Sequence, residues 1–504
     1  MLLEIFPLLK KLRYILEVVL LLTMISSCTG APRTPETAIP SIPPTGLSPT
    51  SDKYRTGTPT SEATSTEDAL LETPGTIPAP ISPAYPVPGI ELNVIDSHAF
   101  DLTKQAGAYW IRRNGLIWSE VEPQEGARNW DALADLEKEL LDAAEKGLQV
   151  VLVVQSTPAW AQKSSGYFCG AVSQDKFLAF ARFLQDAVSR YSVPPYNVRY
   201  WELGNEPDID PSLVPSNSMF GCWGDEKDPY YGGGYYAEML KQVYPHVKSV
   251  DLQAQVMVGG LVLDCDPVNP PGGKDCTPSL FLEGILRNGG GEYFDGVSFH
   301  AYDYYLGPSR FGNPNWQASW NVTGPVLIPK IRFLRSVLVA HGYSEKFLMN
   351  TESGLVCGRD GLEPLCQDED FNQTKASYVA QVNIASLAED LRANIWYSLT
   401  GWRGSGLVDA NMKPYPAYEA YRFSASQLLD SAFVRKVNDF EGILGYELSR
   451  DGKHTWILWT LYGKKTKVHL PFMPTAIYDV FGKQMPVSQD GVVTNSPLYI
   501  EWTP

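Results

Sequence analysis

Between residues 89 and 428 the sequence passes eight times from a short apolar run to an amphipathic or loop-rich stretch. No other feature of the chain restricts its fold as much. The apolar runs are Glu91–Ile95, Ala108–Arg113, Gln149–Gln155, Val198–Leu203, Gln255–Gly260, Phe294–His300, Lys346–Asn350 and Asn394–Leu399. Their length and apolar character predict strands. Helical periodicity is clearest over Trp130–Lys146, Gln174–Tyr191, Tyr235–Val250, Pro325–His341, Lys375–Arg392 and Tyr415–Leu428. Strand–helix alternation repeated this often implies an α/β fold, a (β/α)₈ TIM barrel over 89–428. An open doubly wound sheet is the competing architecture, but no Gly-rich phosphate fingerprint follows an early strand. Residues 429–504 lack helical period and alternate in short runs between Asp-Gly, Tyr-Gly and Phe-Gly turns. They predict a small C-terminal antiparallel β-domain, sandwich-like in character.

The first 88 residues are of another kind. Lys10, Lys11 and Arg13 precede an apolar run, Tyr14 to Ile25, too short to span a bilayer comfortably but suited to a signal peptide over 1–27. The run ends in Ile25-Ser26-Ser27-Cys28, which resembles a bacterial lipobox with Cys28 as the lipidated residue. Residues 28–88 are rich in Pro, Thr and Ser and too poor in large apolar side chains to offset their ordering entropy. They read as a disordered linker. The expectation is an extracytoplasmic protein, at the bacterial cell surface or held to a membrane by an N-terminal lipid anchor.

Cysteine usage agrees with export. Six cysteines remain besides Cys28, and six allow fifteen pairings. Cys265 and Cys276 bracket one Pro/Gly-rich loop, Cys357 and Cys366 bracket another, and Cys169 and Cys222 fall in the loops after the third and fourth strands. Three disulfides follow: Cys169–Cys222, Cys265–Cys276 and Cys357–Cys366. A zinc site is the rival, but there is no Cys-x-x-Cys pair and the histidines are scattered. No metal or organic cofactor is signalled. A net charge of −16 without a Lys/Arg run in the body of the chain offers no electrostatic footprint for nucleic acid.

In such a barrel, chemistry sits at the C-terminal ends of the strands. The fourth strand ends in Asn205-Glu206-Pro207 and the seventh in Asn350-Thr351-Glu352, which sets two glutamates across the barrel mouth. A facing pair of carboxylates is what glycosidic bond cleavage needs, one protonating the leaving oxygen and one acting at the anomeric carbon. Arg112 and Arg113 alternate along the second strand, so only one can face the site, and the sequence leaves the choice open. Glu202, before a glycine within its strand, reads as a buried structural partner, and Glu120 and Glu122 as structural residues near a turn.

With these motifs in clan order, the chain resembles the clan A glycoside hydrolases over about residues 90–428, with family 39 the nearest and family 5 a neighbour. The matching residues are Ala108-Tyr109-Trp110-Ile111-Arg112, Trp118-Ser119-Glu120-Val121-Glu122-Pro123, Thr157-Pro158-Ala159-Trp160, Gly204-Asn205-Glu206-Pro207, His300-Ala301-Tyr302 and Thr351-Glu352-Ser353-Gly354. The resemblance implies a retaining O-glycosyl hydrolase working by double displacement, with Glu206 as acid/base and Glu352 as nucleophile. It also implies that Asn205 binds the sugar 2-hydroxyl and that Tyr302 and Arg112 orient Glu352. His300 would line the floor, and Trp160, Trp396 and Trp402 would contact sugar, the last two as stacking platforms. The substrate is a poly-, oligo- or glycoconjugate saccharide whose identity, and whose exo or endo cleavage, depends on long loops. Two alternatives share the barrel: a non-catalytic carbohydrate-binding surface lipoprotein, and a transglycosylase.

Overall fold

The computed structural model describes residues 86–504 apart from 94, 308–315, 318–319, 321–323 and 462–464. The expected signal peptide, Cys28 and the linker up to residue 85 lie outside the described residues.

Eight parallel strands close into a barrel: β1 (Pro88–Glu91), β2 (Trp110–Ile117), β3 (Gln149–Gln155), β4 (Tyr200–Asn205), β5 (Gln255–Leu261), β6 (Gly296–Tyr305), β7 (Phe347–Cys357) and β8 (Asn394–Trp396). Each pairs with the next, and β8 pairs with β1 to complete the circle. The helices that follow them are α1 (Ser97–Gln105), α2 (Ala134–Glu145), α3 (Phe177–Tyr191), α4 (Gly233–Val250), α5 (Phe281–Arg287), α6 (Leu327–Ala340), α7 (Glu369–Ala388) and α8 (Pro416–Leu428). No helix among the described residues is long and apolar enough to cross a membrane.

The barrel floor is a plug of Trp110, Val151, Tyr200, Met257, Met349, Ala393 and Ile395. Strand side chains alternate between faces, so this plug sets the inward phase of most strands. Residues two positions beyond it face the mouth, and their immediate neighbours face the helices. In β1 the inward position is Gly89, where a Cβ would sit 2.8 Å from the Cβ of Trp110. A side chain there would displace the plug, which is why a glycine lies inside a strand.

Several elements differ from the sequence expectation. β1 ends at Glu91, where the sequence reading began it, because Val87-Pro88-Gly89-Ile90 is fully buried and pairs on both sides despite its Pro and Gly. β6 and β7 outrun their expected ends and continue as a ladder to Tyr305 and Cys357, beyond the rim. β8 is shorter than expected. After Trp396 the ladder gives way to single backbone bonds to its neighbours, from Tyr397 N–H to Ser353 O and from Leu399 N–H to Glu91 O.

Beyond α8 the chain forms a separate antiparallel sheet. Its strands are β9 (Ala432–Lys436), β10 (Ile443–Arg450), β11 (Lys453–Thr460), β13 (Ala476–Tyr478) and β15 (Leu498–Trp502), in the order β9-β10-β11-β15-β13, with β12 (Thr466–His469) and β14 (Asp490–Val493) as a ribbon. Ribbon and sheet share a core of Val468 and Val493 with Trp456, Leu458 and Ile500. Helix α7 packs against both β9 and β10 and against the barrel. It is buried without a break from Thr374 to Ala388, which is why it shows no polar face, and Gln381 Nε2 donates to Asn495 O at 2.5 Å.

All three expected disulfides are present. Cys169–Cys222 closes a sequence separation of 53, against 11 and 9 for the other two. Loop-closure entropy gives about 4 kcal/mol for the long closure and about 3 kcal/mol for each short one. Denaturant unfolding of C169A/C222A should therefore show the largest loss among the three paired-alanine variants. An equal loss for C265A/C276A would contradict the ranking.

Candidate active site

Above the apolar plug lies an ionic layer. Trp110 faces the floor, so Arg112 faces the mouth and Arg113 turns outward, where it binds Glu139 of α2 and the carbonyl of Leu92. This settles the choice the sequence left open. The Arg112 guanidinium is fully buried and meets three carboxylates: Glu202 Oε1 at 2.6 Å, Glu91 Oε2 at 3.0 Å and Glu352 Oε1 at 2.5 Å. It also donates to Asn205 Oδ1 at 2.7 Å. Five N–H groups in a planar fork suit this task, which a lysine could not perform.

One cation does not balance three buried carboxylates. Two unit charges about 5 Å apart repel by about 3 kcal/mol at an effective dielectric of about 20. Burial, with Glu352 and Glu202 adding to it against the pull of Arg112, pushes the Glu91 carboxyl up to about 8. Its second oxygen accepts from Asn114 Nδ2 at 3.0 Å.

Glu206 and Glu352 reach the mouth by different local devices. Glu206 follows β4 in a left-handed conformation at φ 53°, its N–H held by Gly260 O at 3.0 Å. The next loop is pinned by Asp208, whose two oxygens accept from the N–H groups of Val262 and Leu263, each at 2.9 Å. In β7 strict alternation from Met349 would turn Glu352 outward. The register slips there, with Phe299 opposite Asn350 and His300 opposite Glu352, so Thr351 is the extra residue of a bulge. The bulge restores Glu352 to the inward face.

One oxygen of Glu206, one of Glu352 and a ring nitrogen of His300 lie within 4.8 Å of one another. His300 Nδ1 is 3.0 Å from Glu206 Oε1 and 3.5 Å from Glu352 Oε2. Burial holds the imidazole down to about 4, so it is neutral near pH 7. Its Nε2 is buried without a partner, and the one proton belongs on Nδ1, which donates to Glu206. Gly260 makes room for this ring, since a Cβ there would lie 2.1 Å from Nε2. From behind, Lys330 of α6 fixes the strand ends, its Nζ donating to His300 O at 2.8 Å and Val262 O at 2.6 Å. His300 therefore stands between the glutamates rather than beneath them.

The glutamates sit in different surroundings. Burial pushes Glu206 up to about 7, against the opposing charges of Arg112 and Lys330. Glu352 is held by donors, Arg112 on one oxygen and Tyr302 Oη on the other at 2.6 Å. Burial keeps the Tyr302 phenol well above its ordinary range, so it remains a donor.

Of the tryptophans, Trp402 is at the mouth, 36% exposed and edge-on to Tyr302 with ring centres 6.1 Å apart. Its loop is built from below by Lys375 of α7, a buried amine that donates to Gly404 O at 2.8 Å and Gly406 O at 2.7 Å. Trp396 is fully buried, because Ile395 faces the plug and its neighbour must face the helices. Its indole donates to Ser405 O, so it supports the Trp402 loop and offers no face to a ligand. Trp160 is half-buried, its N–H on Glu122 O at 2.9 Å and its ring edge-on to Trp118. Glu202 is completely buried as the main partner of Arg112. Sequence reasoning missed Glu91, Lys330 and Lys375. The first had a usable signal, since a strand phased from Trp110 and Gly89 ends on it.

No family model matches the chain, and no curated protein matches it. Solved structures do. A family 39 glycoside hydrolase from Bacteroides cellulosilyticus WH2 superposes at a TM-score of 0.61 and 21% identity, covering 82% of this chain and 80% of that one. The family 30 subfamily 8 xylanase Xyn30A of Clostridium acetobutylicum gives 0.54 at 14% identity, over 84% and 98%. The chain shares the fold of these family 39 and family 30 glycoside hydrolases. A conserved exported protein of Bacteroides fragilis also shares it, at 0.57 and 11% identity over 84% and 98%.

Arg112 should be the most costly residue of the layer to lose. Arg112→Met keeps the volume but leaves Glu202 buried without a counter-ion, at about 3–5 kcal/mol. Urea unfolding measures this, and Glu202→Gln in the same background should recover part of the loss.

Proposed function

We propose that the protein is a retaining glycoside hydrolase that cleaves a β-linked, or equivalently oriented, saccharide by double displacement. The observation that carries the reading is the pair Glu206, directly after β4, and Glu352, on β7, with oxygens within 4.8 Å of each other and contrasting environments. Carboxyls about 5–5.5 Å apart suit direct attack, whereas inversion needs about 6.5–9.5 Å to admit a water.

In this mechanism Glu206 holds a proton near neutral pH and gives it to the leaving oxygen as the anomeric bond breaks. Glu352, oriented by Arg112 and Tyr302, attacks the anomeric carbon and forms an ester. A water deprotonated by Glu206 then releases the sugar. Neutral His300 moves no charge and holds Glu206 in place. Asn205, its oxygen engaged by Arg112, has its amide N–H₂ left to donate to the 2-hydroxyl oxygen, which fixes the sugar in register over the two glutamates. Trp402 offers a stacking face. Three disulfides support an extracytoplasmic setting, and a lipid anchor at Cys28 would hold the barrel to a membrane.

The test is a panel of aryl glycosides and polysaccharides with Glu352→Ala as control, the first-formed anomer being followed by NMR. Turnover that survives Glu352→Ala, or an inverted first product, would remove the mechanism. Sugar binding without turnover by the folded wild type would favour a binding protein. The pH profile is fixed in sign: as pH rises through about 7 Glu206 loses its proton, so kcat/KM should fall about tenfold per unit above that point. Glu206→Gln should lower kcat/KM for poor leaving groups by about 10²–10⁴-fold and spare kcat/KM for activated ones, while kcat falls for both because the base of the second step is lost.

A further inference from the structure

Glu91 has no part in the two-glutamate mechanism, yet it shares a hydrogen-bond donor with the residue that would attack. Arg112 Nη1 donates both to Glu91 Oε2 at 3.0 Å and to Glu352 Oε1 at 2.5 Å, a single nitrogen bridging two carboxyls. The groups around Glu91 are Arg112 and Asn114 from β2, Glu202 from β4, Glu352 from β7 and Tyr397 after β8. Arg112 is the only cation among them. The far oxygen of Glu91 meets the Asn114 amide, whose Oδ1 is buried without a partner in its present orientation. Turned end for end, that amide presents Oδ1 to a Glu91 O–H, so the site can receive the protonated acid.

We propose that Glu91 is a positioning residue that keeps a proton through the working pH range, leaving Arg112 Nη1 to orient Glu352. Losing that proton puts a full negative charge on Glu91 beside Nη1, and the stronger attraction draws the guanidinium off the nucleophile. The proton goes to solvent and no other bond changes. The shift of Glu91 to about 8 agrees with this, since burial and the neighbouring Glu352 charge both favour the neutral acid. This role rests on Glu352 being the nucleophile, but the protonation of Glu91 does not.

The kinetic test uses a dinitrophenyl glycoside, whose leaving group needs no acid, in a Glu206→Gln background where the acid/base no longer titrates. In E206Q, kcat/KM should fall about tenfold over the first unit or so above about pH 8. In E206Q/E91Q that limb should be absent. Near neutral pH, E91Q, which has the shape of the protonated acid, should restore turnover that E91A loses. Superimposable alkaline limbs in E206Q and E206Q/E91Q would overturn the proposal.

Two further measurements need no substrate. The infrared difference between wild type and E91Q should contain a carboxylic acid carbonyl stretch at about pH 6 that is lost by about pH 10. A folded-state value raised from 4.5 to about 8 contributes stability that is fully present below the lower value and lost as pH rises through the upper one. Wild type should therefore lose thermal stability relative to E91Q across that window. Absence of the infrared band would overturn the proposal whatever the kinetics. No turnover of any glycoside, with the band present, would sink the hydrolase reading and leave the proton on Glu91.

Discussion

The Arg112 guanidinium is the interaction on which the site depends. It is fully buried in the barrel, and its N–H groups reach side chains from β1, β4 and β7 at once. A parallel barrel has no turn or hairpin to hold the mouth ends of opposite strands together. Here one planar cation does so, and its geometry sets which oxygen of Glu352 is engaged and which way the Asn205 amide points. The same cation makes the site costly. Three carboxylates around one charge are stable only if protons are shared out among them, so protonation and position are coupled throughout the layer.

Glu206 and Glu352 are chemically identical side chains separated by what packs around them. Glu206 has a neutral imidazole at one oxygen and a side chain 20% exposed, while Glu352 has a cation and a phenol and is 8% exposed. In the proposed chemistry, this contrast in setting is what would let a single site supply both an acid and a nucleophile. The neutral state of His300 matters to the proposed chemistry, since a charged ring between the glutamates would favour ionised Glu206.

Much of this was legible in the sequence. The eight alternations marked the strands, the first of them only at its last residue, the six cysteines paired as loop geography suggested, and Glu206 directly followed β4 while Glu352 lay on β7. What stayed hidden depends on phase and register. Arg112 and Arg113 cannot be told apart until Trp110 is known to face the floor, and the same rule moved Trp396 from platform to core. The bulge at Thr351 adds a residue without changing the hydrophobic pattern, so sequence alone gives the position of Glu352 but not its face. Glu91 was read as the first residue of a strand that it ends. Lys330 and Lys375 reach the site from helices, and their partners are backbone carbonyls, which carry no sequence signature.

Helix α7 is buried over most of its length, with the barrel on one flank and the C-terminal sheet on the other. In most barrels the outer helices face water and can absorb small shifts of the strands they cover. This one is clamped, and it lies between the strand that carries Glu352 and the loop that carries Trp402. The terminal sheet is thus a stiff outer wall for one quadrant of the ring. Tolerance to sequence drift should be uneven around the circumference, low behind β7 and β8 and higher on the opposite side, where the loops after β3 and β4 are joined by a disulfide instead of a second layer of protein.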